Sequence, residues 1–334
     1  LIRRAEERDI PRIHELLAQV AQVHHTGRPD LFRAGGRKYT DTQLSQKIND
    51  ENTPIFVAVD DRERVLGYVF CQFEQYVNHN ILTDVKTLYI DDLCVDEALR
   101  GQSSSGGVFT LLAREVIRQG GVVFGAAFDE ALHVEHIGAF DESELSGMRG
   151  SKYVQSDAAD AIGNAVSLLK RDIPVLFSGT PCQISGLMAA LGGAKTDKLL
   201  TVDFVCHGVP SPGVFASYLA ELEKERGSRV RAYAFRDKRL GWKNFSVVAT
   251  FENGETHTGT QTTDPYLYGF LQNLYLRPSC HECGQLRGKR HAADITLADL
   301  WGAETICPER DDDTGLSLVM THTQKGRQAL DAIG

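Results

Sequence analysis

The sequence predicts an α/β protein in two parts, a smaller α+β unit over residues 1–102 and a larger α/β domain over 103–334. Apolar, strand-like runs end at Cys182 (PVLFSGTPC) and at Cys206 (LLTVDFVC), as parallel strands do where an α/β sheet meets its site. A helix followed by a hairpin pattern fills the first hundred residues. At about residue 103 the run SSSGGVFTLLAREVIRQGGVVFGAAFDE starts a new helix–strand alternation with no separate linker.

At 334 residues the chain is long enough for two cores. A formal net charge of −9 with no dense Lys/Arg run argues against a nucleic-acid partner. No apolar stretch approaches the ~18 residues that a membrane span requires, and LIRRAEERDIPRI has no apolar signal core, so a cytoplasmic protein is expected. Seven cysteines, an odd number, suit reduced thiols and metal ligands better than a disulfide framework. Leu1 in place of Met suggests an alternative start codon or a trimmed start, and the end at QALDAIG, in mid-helix pattern, suggests a C terminus cut short.

Taken in order, Ile2–Ala5 reads as a short strand, and Asp9 as the cap of a helix with Pro11 in its first turn. Ile13, Leu16, Leu17, Val20 and Val23 give that helix an apolar face. Ile55–Val59 and Val65–Phe73 form a hairpin around DDRER, and Thr87–Val95 is a further strand leading into DEALRGQ. Cys71 and Cys94 fall inside these strands as small buried thiols.

The stretches IRRAEERDIPRIHELL, FVAVDDRERVLGYVF and LYIDDLCVDEALRGQ resemble the front half of a GCN5-related N-acetyltransferase (GNAT). In that family an Arg-x-x-Gly-x-Gly/Ala loop cradles the acetyl-CoA pyrophosphate. Arg100-Gly101-Gln102 matches its start, but Ser103 and Ser105 stand at the glycine positions, where a Cβ obstructs the phosphate. The strand and helix that complete the acetyltransferase fold are not found. The resemblance therefore implies a partial unit in which acetyl transfer is not expected, with an exposed sheet edge where strands are missing.

Beyond residue 103, Val108–Gln119 is an apolar-faced helix and Val122–Phe128 a buried strand after a Gly-Gly stop. The thiols after the two Cys-terminated runs belong at one edge of a parallel sheet, and Cys280 and Cys283 form a CxxC that completes a four-thiolate set. Spacing alone leaves open a zinc ion, an iron–sulfur cluster, or buried core thiols with an independent CxxC.

SSSGGVFTLLA, GGVVFGAAFDE, ELSGMRGSKYVQS, VLFSGTPCQISGL, VDFVCHGVPSP, AFRDKRLGW, RPSCHEC and ADITLADLWG together resemble the coenzyme F420 hydrogenase/dehydrogenase beta subunit family. The resemblance implies a flavin- and iron–sulfur-dependent oxidoreductase, with Cys182, Cys206, Cys280 and Cys283 binding a 4Fe–4S cluster. It implies FAD as second cofactor and coenzyme F420 or another small redox molecule as substrate. A ferredoxin-like or other electron-transfer protein is the implied partner. Members of this family usually carry ferredoxin-like cysteine runs upstream, where this chain has the acetyltransferase-like segment.

For the flavin, Ser105, Gly106 and Gly107 before a helix offer small residues and backbone N–H groups to a diphosphate. Lys152 supplies charge, Tyr153 a ring, and Gly179-Thr180 a tight turn for close approach. His207, beside Cys206, reads either as a donor that tunes a cluster sulfur or as a capping or solvated histidine. Arg236, Lys238 and Lys243 read either as contacts to an anionic cofactor or as a charged surface hairpin. Asp294 and Asp299 flank ITLADLWG as anchors for loop amides or Arg side chains, and Cys307 stays outside the ligand set. No residue is assigned a catalytic role, because cofactor-borne hydride and electron transfer requires no general base.

Overall fold

The computed structural model describes the chain apart from residues 1, 28–34, 36, 61, 76–85, 96–99, 195–196, 285–291, 309–310 and 334. The chain divides into two compact units. One comprises residues 1–100, 302–312 and 328–334, the other 101–301 and 313–327.

The first unit holds an antiparallel sheet of β1 (Ile2–Arg4), β2 (Ile55–Val59), β3 (Val65–Gln75) and β4 (Lys86–Val95), in that order. The helix Ile10–Gly27 buries Ile13, Leu16 and Leu17 against Val57, Tyr68 and Phe70. That is the face the three- and four-residue spacing predicts; the Val23 and Cys94 side chains lie outside the described residues. Cys71 is buried in β3.

Asp9 does not cap the helix as expected. It ends a 3-10 turn, Glu7–Asp9, accepting the Glu6 N–H at 2.8 Å and both Arg3 Nη groups at 2.6 and 2.9 Å. Burial pushes the Asp9 carboxyl up, but these bonds outweigh it and hold the group below its ordinary value.

The second unit is built on a six-stranded sheet. Its strands are β5 (Val122–Phe128), β6 (Val134–Ala139), β7 (Val175–Ser178), β8 (Leu199–Phe204), β12 (Ile295–Asp299) and β13 (Ser317–Thr321). They are ordered β13-β12-β8-β7-β5-β6 across the sheet. The inner four strands are parallel, and β6 and β13 close the ends antiparallel. Strand β7 is apolar as far as Ser178, and β8 buries Leu199, Leu200 and Val202 together with Thr201 and Asp203, between helices on both faces. Val175 faces Leu199 and Ser178 faces Val202, so the two strands end side by side.

Between β8 and β12 the chain forms β9 (Val230–Asp237), β10 (Ser246–Phe251) and β11 (Thr256–Thr260). These make a smaller antiparallel sheet with β10 in the middle. Its inner face joins Phe215, Tyr266 and Phe270 in an aromatic core with Tyr153 packed against it.

No helix among the described residues is long and apolar enough to cross a membrane.

Candidate functional site

The sheet delivers the thiols to one place. Strand β7 ends at Ser178, and Thr180 caps the helix Pro181–Leu191, whose first turn carries Cys182. The Thr180 hydroxyl lies 3.1 Å from the Cys182 sulfur. Cys206 follows β8 by two residues. The segment bearing Cys280 and Cys283 returns alongside, where Pro210 bridges to Leu276 and Arg277 N–H donates to Val209 O at 3.0 Å. Gly208 (φ +127°) permits this approach, since a Cβ there would lie 2.8 Å from Leu276 and 3.3 Å from Cys280 Cβ.

The electrostatics register the convergence. Burial pushes the Cys206 thiol up to about 11; the Gly208 N–H pulls the other way, and Cys182, Cys280 and Cys283 each add to the rise. Among the described residues, no three His, Cys, Asp or Glu side chains form a ready metal shell as they stand. The donor set is nonetheless the right one for a soft centre: thiols from two neighbouring strand ends and a CxxC.

The candidate flavin residues fall into joined segments. Ser104 and Ser151 hydroxyls meet at 2.9 Å, and Gln183 Nε2 donates to Ser156 Oγ at 2.8 Å. These two bonds tie the Ser-Gly loop, the 149–157 stretch and the Gly179-Thr180 turn into one neighbourhood. Ser105 Oγ donates to Leu316 O at 2.7 Å, and Gly106 N–H donates to Ser317 Oγ at 2.9 Å, so those donors have partners within the protein. Gly107 (φ +88°) opens the helix Val108–Arg118 with no side-chain cap.

Lys152 Nζ donates to Gly147 O at 2.8 Å and Arg149 O at 2.9 Å. Burial pushes its ammonium down to about 7. The Tyr153 ring stacks on Phe270, 4.6 Å between centroids, and Phe270 O in turn engages His207 Nε2 at 3.2 Å. Gly179 N–H donates to Val202 O at 3.1 Å, holding the turn against β8.

Arg236 belongs to the interior, not to a charged surface hairpin. Its side chain is 4% exposed, with Nη1 2.8 Å from Asp299 and 3.3 Å from the Tyr153 hydroxyl. The guanidinium lies 4.1 Å from the Phe245 ring centroid and 5.4 Å from that of Trp301. Lys238 likewise turns inward, to Ser105 O and Thr314 O. Asp294 serves the sheet: it accepts from Thr201 N and Oγ1 and from Thr323 Oγ1, between 2.6 and 2.9 Å.

Two features escape sequence reasoning. Trp242 and Trp301 stack at 4.5 Å, Trp242 buried and Trp301 half-exposed. His136 lies buried in β6, Nε2 2.9 Å from Ser178 O. Its one sequence sign is a histidine two places from Val134, on the same inward face.

Residues 174–334 match the family model for the C terminus of the coenzyme F420 hydrogenase/dehydrogenase beta subunit. The match spans just under half the chain and includes all four candidate cysteines. Among solved structures, the F420-reducing [NiFe] hydrogenase complex from Methanosarcina barkeri is 19% identical, with 71% of this chain and 75% of that chain covered and a TM-score of 0.49. A mutant of the BH1408 protein from Bacillus halodurans is 30% identical over 36% of this chain and 73% of its own, at a TM-score of 0.30. An aminoglycoside 6'-N-acetyltransferase from Acinetobacter baumannii is 15% identical over 36% of this chain and 69% of its own, at a TM-score of 0.23. The resemblance read from the motifs to the hydrogenase beta subunit family thus has a counterpart in that family model. No curated protein sequence matches the chain.

Proposed function

We propose that residues 103–334 form a flavin- and 4Fe–4S-dependent oxidoreductase domain, which passes electrons between a hydride carrier and an electron-transfer partner. The observation that carries this reading is the convergence of Cys182, Cys280 and Cys283 on Cys206 at the ends of β7 and β8. These four would hold the cluster. Ser105, Gly106, Gly107, Lys152, Tyr153, Gly179 and Thr180 line the neighbourhood proposed for FAD.

When bound, FAD supplies hydride exchange and the cluster single-electron transfer. The chain's own residues do the positioning. Lys152 brings a buried positive charge that an anionic group would neutralise, and Tyr153, braced on Phe270, offers a ring edge. Coenzyme F420 or another small redox molecule is the proposed substrate, and a ferredoxin-like protein the proposed partner. Reduced thiols suit a cytoplasmic setting.

Residues 1–102 are proposed as a partial acetyltransferase-like segment without acetyl transfer. Arg100, at the start of the expected pyrophosphate loop, is held by Asp312 through bonds of 2.5 and 2.7 Å.

The test is a visible spectrum with iron and sulfide assays on protein purified without oxygen. The reading expects a broad band near ~400 nm that bleaches on reduction, about four irons and about four sulfides per chain, and flavin peaks. A colourless protein carrying zinc sinks the redox reading in favour of a zinc-stabilised module.

A further inference from the structure

The Thr180 hydroxyl has one hydrogen and two neighbours that can take it. Its Oγ1 lies 3.0 Å from Gln183 Oε1 and 3.1 Å from Cys182 Sγ. Ser156 orients the Gln183 amide: Ser156 O can only accept, and Nε2 donates to it at 3.4 Å and to Ser156 Oγ at 2.8 Å. Oε1 is therefore the end that faces Thr180, and it also accepts the Thr180 N–H at 2.9 Å. While Cys182 is a free thiol, its S–H donates to Thr180 Oγ1 and the hydroxyl donates to Gln183.

A ligating sulfur changes this arrangement. Cys182 is exposed, so its sulfur is open to a metal centre, and once bound there it has no hydrogen and only accepts. The helix Pro181–Leu191 begins with proline, which has no N–H to give that sulfur. The donor at hand is the Thr180 hydroxyl. Its turn is a rotation about one bond, and it leaves no acceptor bare, because Gln183 Oε1 keeps the Thr180 N–H.

We propose that the Thr180 hydroxyl is a two-position donor, which turns from Gln183 Oε1 to the Cys182 sulfur when that sulfur holds a 4Fe–4S cluster, and that this bond raises the cluster's reduction potential. The assignment rests on the cluster reading above and adds to it the control of potential. A hydrogen bond draws charge from a ligand sulfur, so it favours the reduced state, which carries one more negative charge. One electron enters, the hydroxyl keeps its hydrogen, and no proton is transferred. Thr180 is a positioning residue, acting through the sulfur it touches.

The experiment is a dye-mediated redox titration of the full chain, purified without oxygen, in wild type, Thr180→Ser and Thr180→Val. Serine keeps the donor and holds the wild-type midpoint. Valine keeps the branched shape without the donor, and its midpoint falls by about 59 mV, a tenfold change in the oxidised-to-reduced ratio for one electron. Equal midpoints in valine and wild type, or an equal fall in serine, overturn the assignment while leaving the cluster reading standing. A wild-type chain with no iron–sulfur centre overturns both. Should valine shed its iron, the wild type alone decides: its iron–cysteine stretch in the resonance Raman spectrum shifts in D2O as the hydroxyl hydrogen exchanges, and an unshifted stretch sinks the assignment.

Discussion

Arg236 grips Asp299 through Nη1 at 2.8 Å from a side chain that is almost wholly buried. The pair joins β9 to the end of β12, and the guanidinium fills the space beside Phe245 and Trp301. Arg236→Met removes the charge from the interior but leaves Asp299, which is partly hydrated, without its partner. The expected loss is about 1–3 kcal/mol, read by urea unfolding. Arg236→Lys should recover little, because an ammonium cannot stack as a planar guanidinium does. Full recovery by lysine would show that charge alone matters here.

Lys152 makes stability depend on pH with a definite sign. Its folded value, about 7, lies below the ordinary 10.5. Below pH 7 both folded and unfolded lysine carry the proton, and the whole cost of burying it is present. Between pH 7 and 10.5 the unfolded chain binds a proton the folded chain does not, so stability rises with pH. Lys152→Met is therefore expected to be more stable than wild type near pH 6, by on the order of a few kcal/mol, with the advantage fading towards pH 10. Unfolding curves at several pH values test this; a pH-independent difference would mean that Lys152 keeps its charge paired.

The same lysine predicts proton uptake. An anionic group bound beside it raises its pKa, so at pH 8 such binding draws a proton from solution. Calorimetry of FAD binding in two buffers of different ionisation enthalpy measures it directly. No buffer dependence would place the cofactor's charge elsewhere.

Serine substitutions separate ligand thiols from core thiols. Cys182→Ser, Cys206→Ser, Cys280→Ser and Cys283→Ser are each expected to lower bound iron and sulfide while circular dichroism stays unchanged. Cys71→Ala, in the buried interior of β3, should leave iron untouched and cost about 1 kcal/mol of stability. Iron retained in all four serine variants would remove these residues from the ligand set.

Asp294 predicts a purely structural loss. Asp294→Ala leaves Thr201 N–H, two threonine hydroxyls and Lys325 Nζ short of a buried acceptor, at an expected cost of about 3 kcal/mol. Asp294→Asn is milder, since its one carbonyl still serves the Thr201 side. Differential scanning calorimetry distinguishes them; equal melting temperatures would mean that the seam relies on packing.

Much of the architecture is legible in the chain because its signals are local. The alternation of Ile55–Val59 and Val65–Phe73, and the Gly-Gly stop before Val122, set strand limits that the structure reproduces within two residues. The strand–Cys endings announce the site edge because parallel strands covered on both faces are largely apolar up to the turn that follows them. Arg236 and His136 were not legible as buried, for a physical reason. What internalises Arg236 is Asp299, 63 residues away, and what fixes His136 is Ser178, 42 residues away. Likewise Asp9 has the composition of a helix cap, but Arg3 competes for the same carboxylate and wins it.

The placement of β12 beside β8 bears on how the chain matures. Thr201 and Asp294, which clasp across that seam, are separated by 93 residues. A nascent chain therefore presents β5, β7 and β8 before the strand that covers one flank of their sheet exists, and the CxxC reaches the exit tunnel long after Cys182. Slow, non-local pairing of this kind leaves an aggregation-prone interval. The proposed cluster could be installed only after synthesis has passed the CxxC, which would make its delivery a late step in biogenesis and tie yield to its supply during expression.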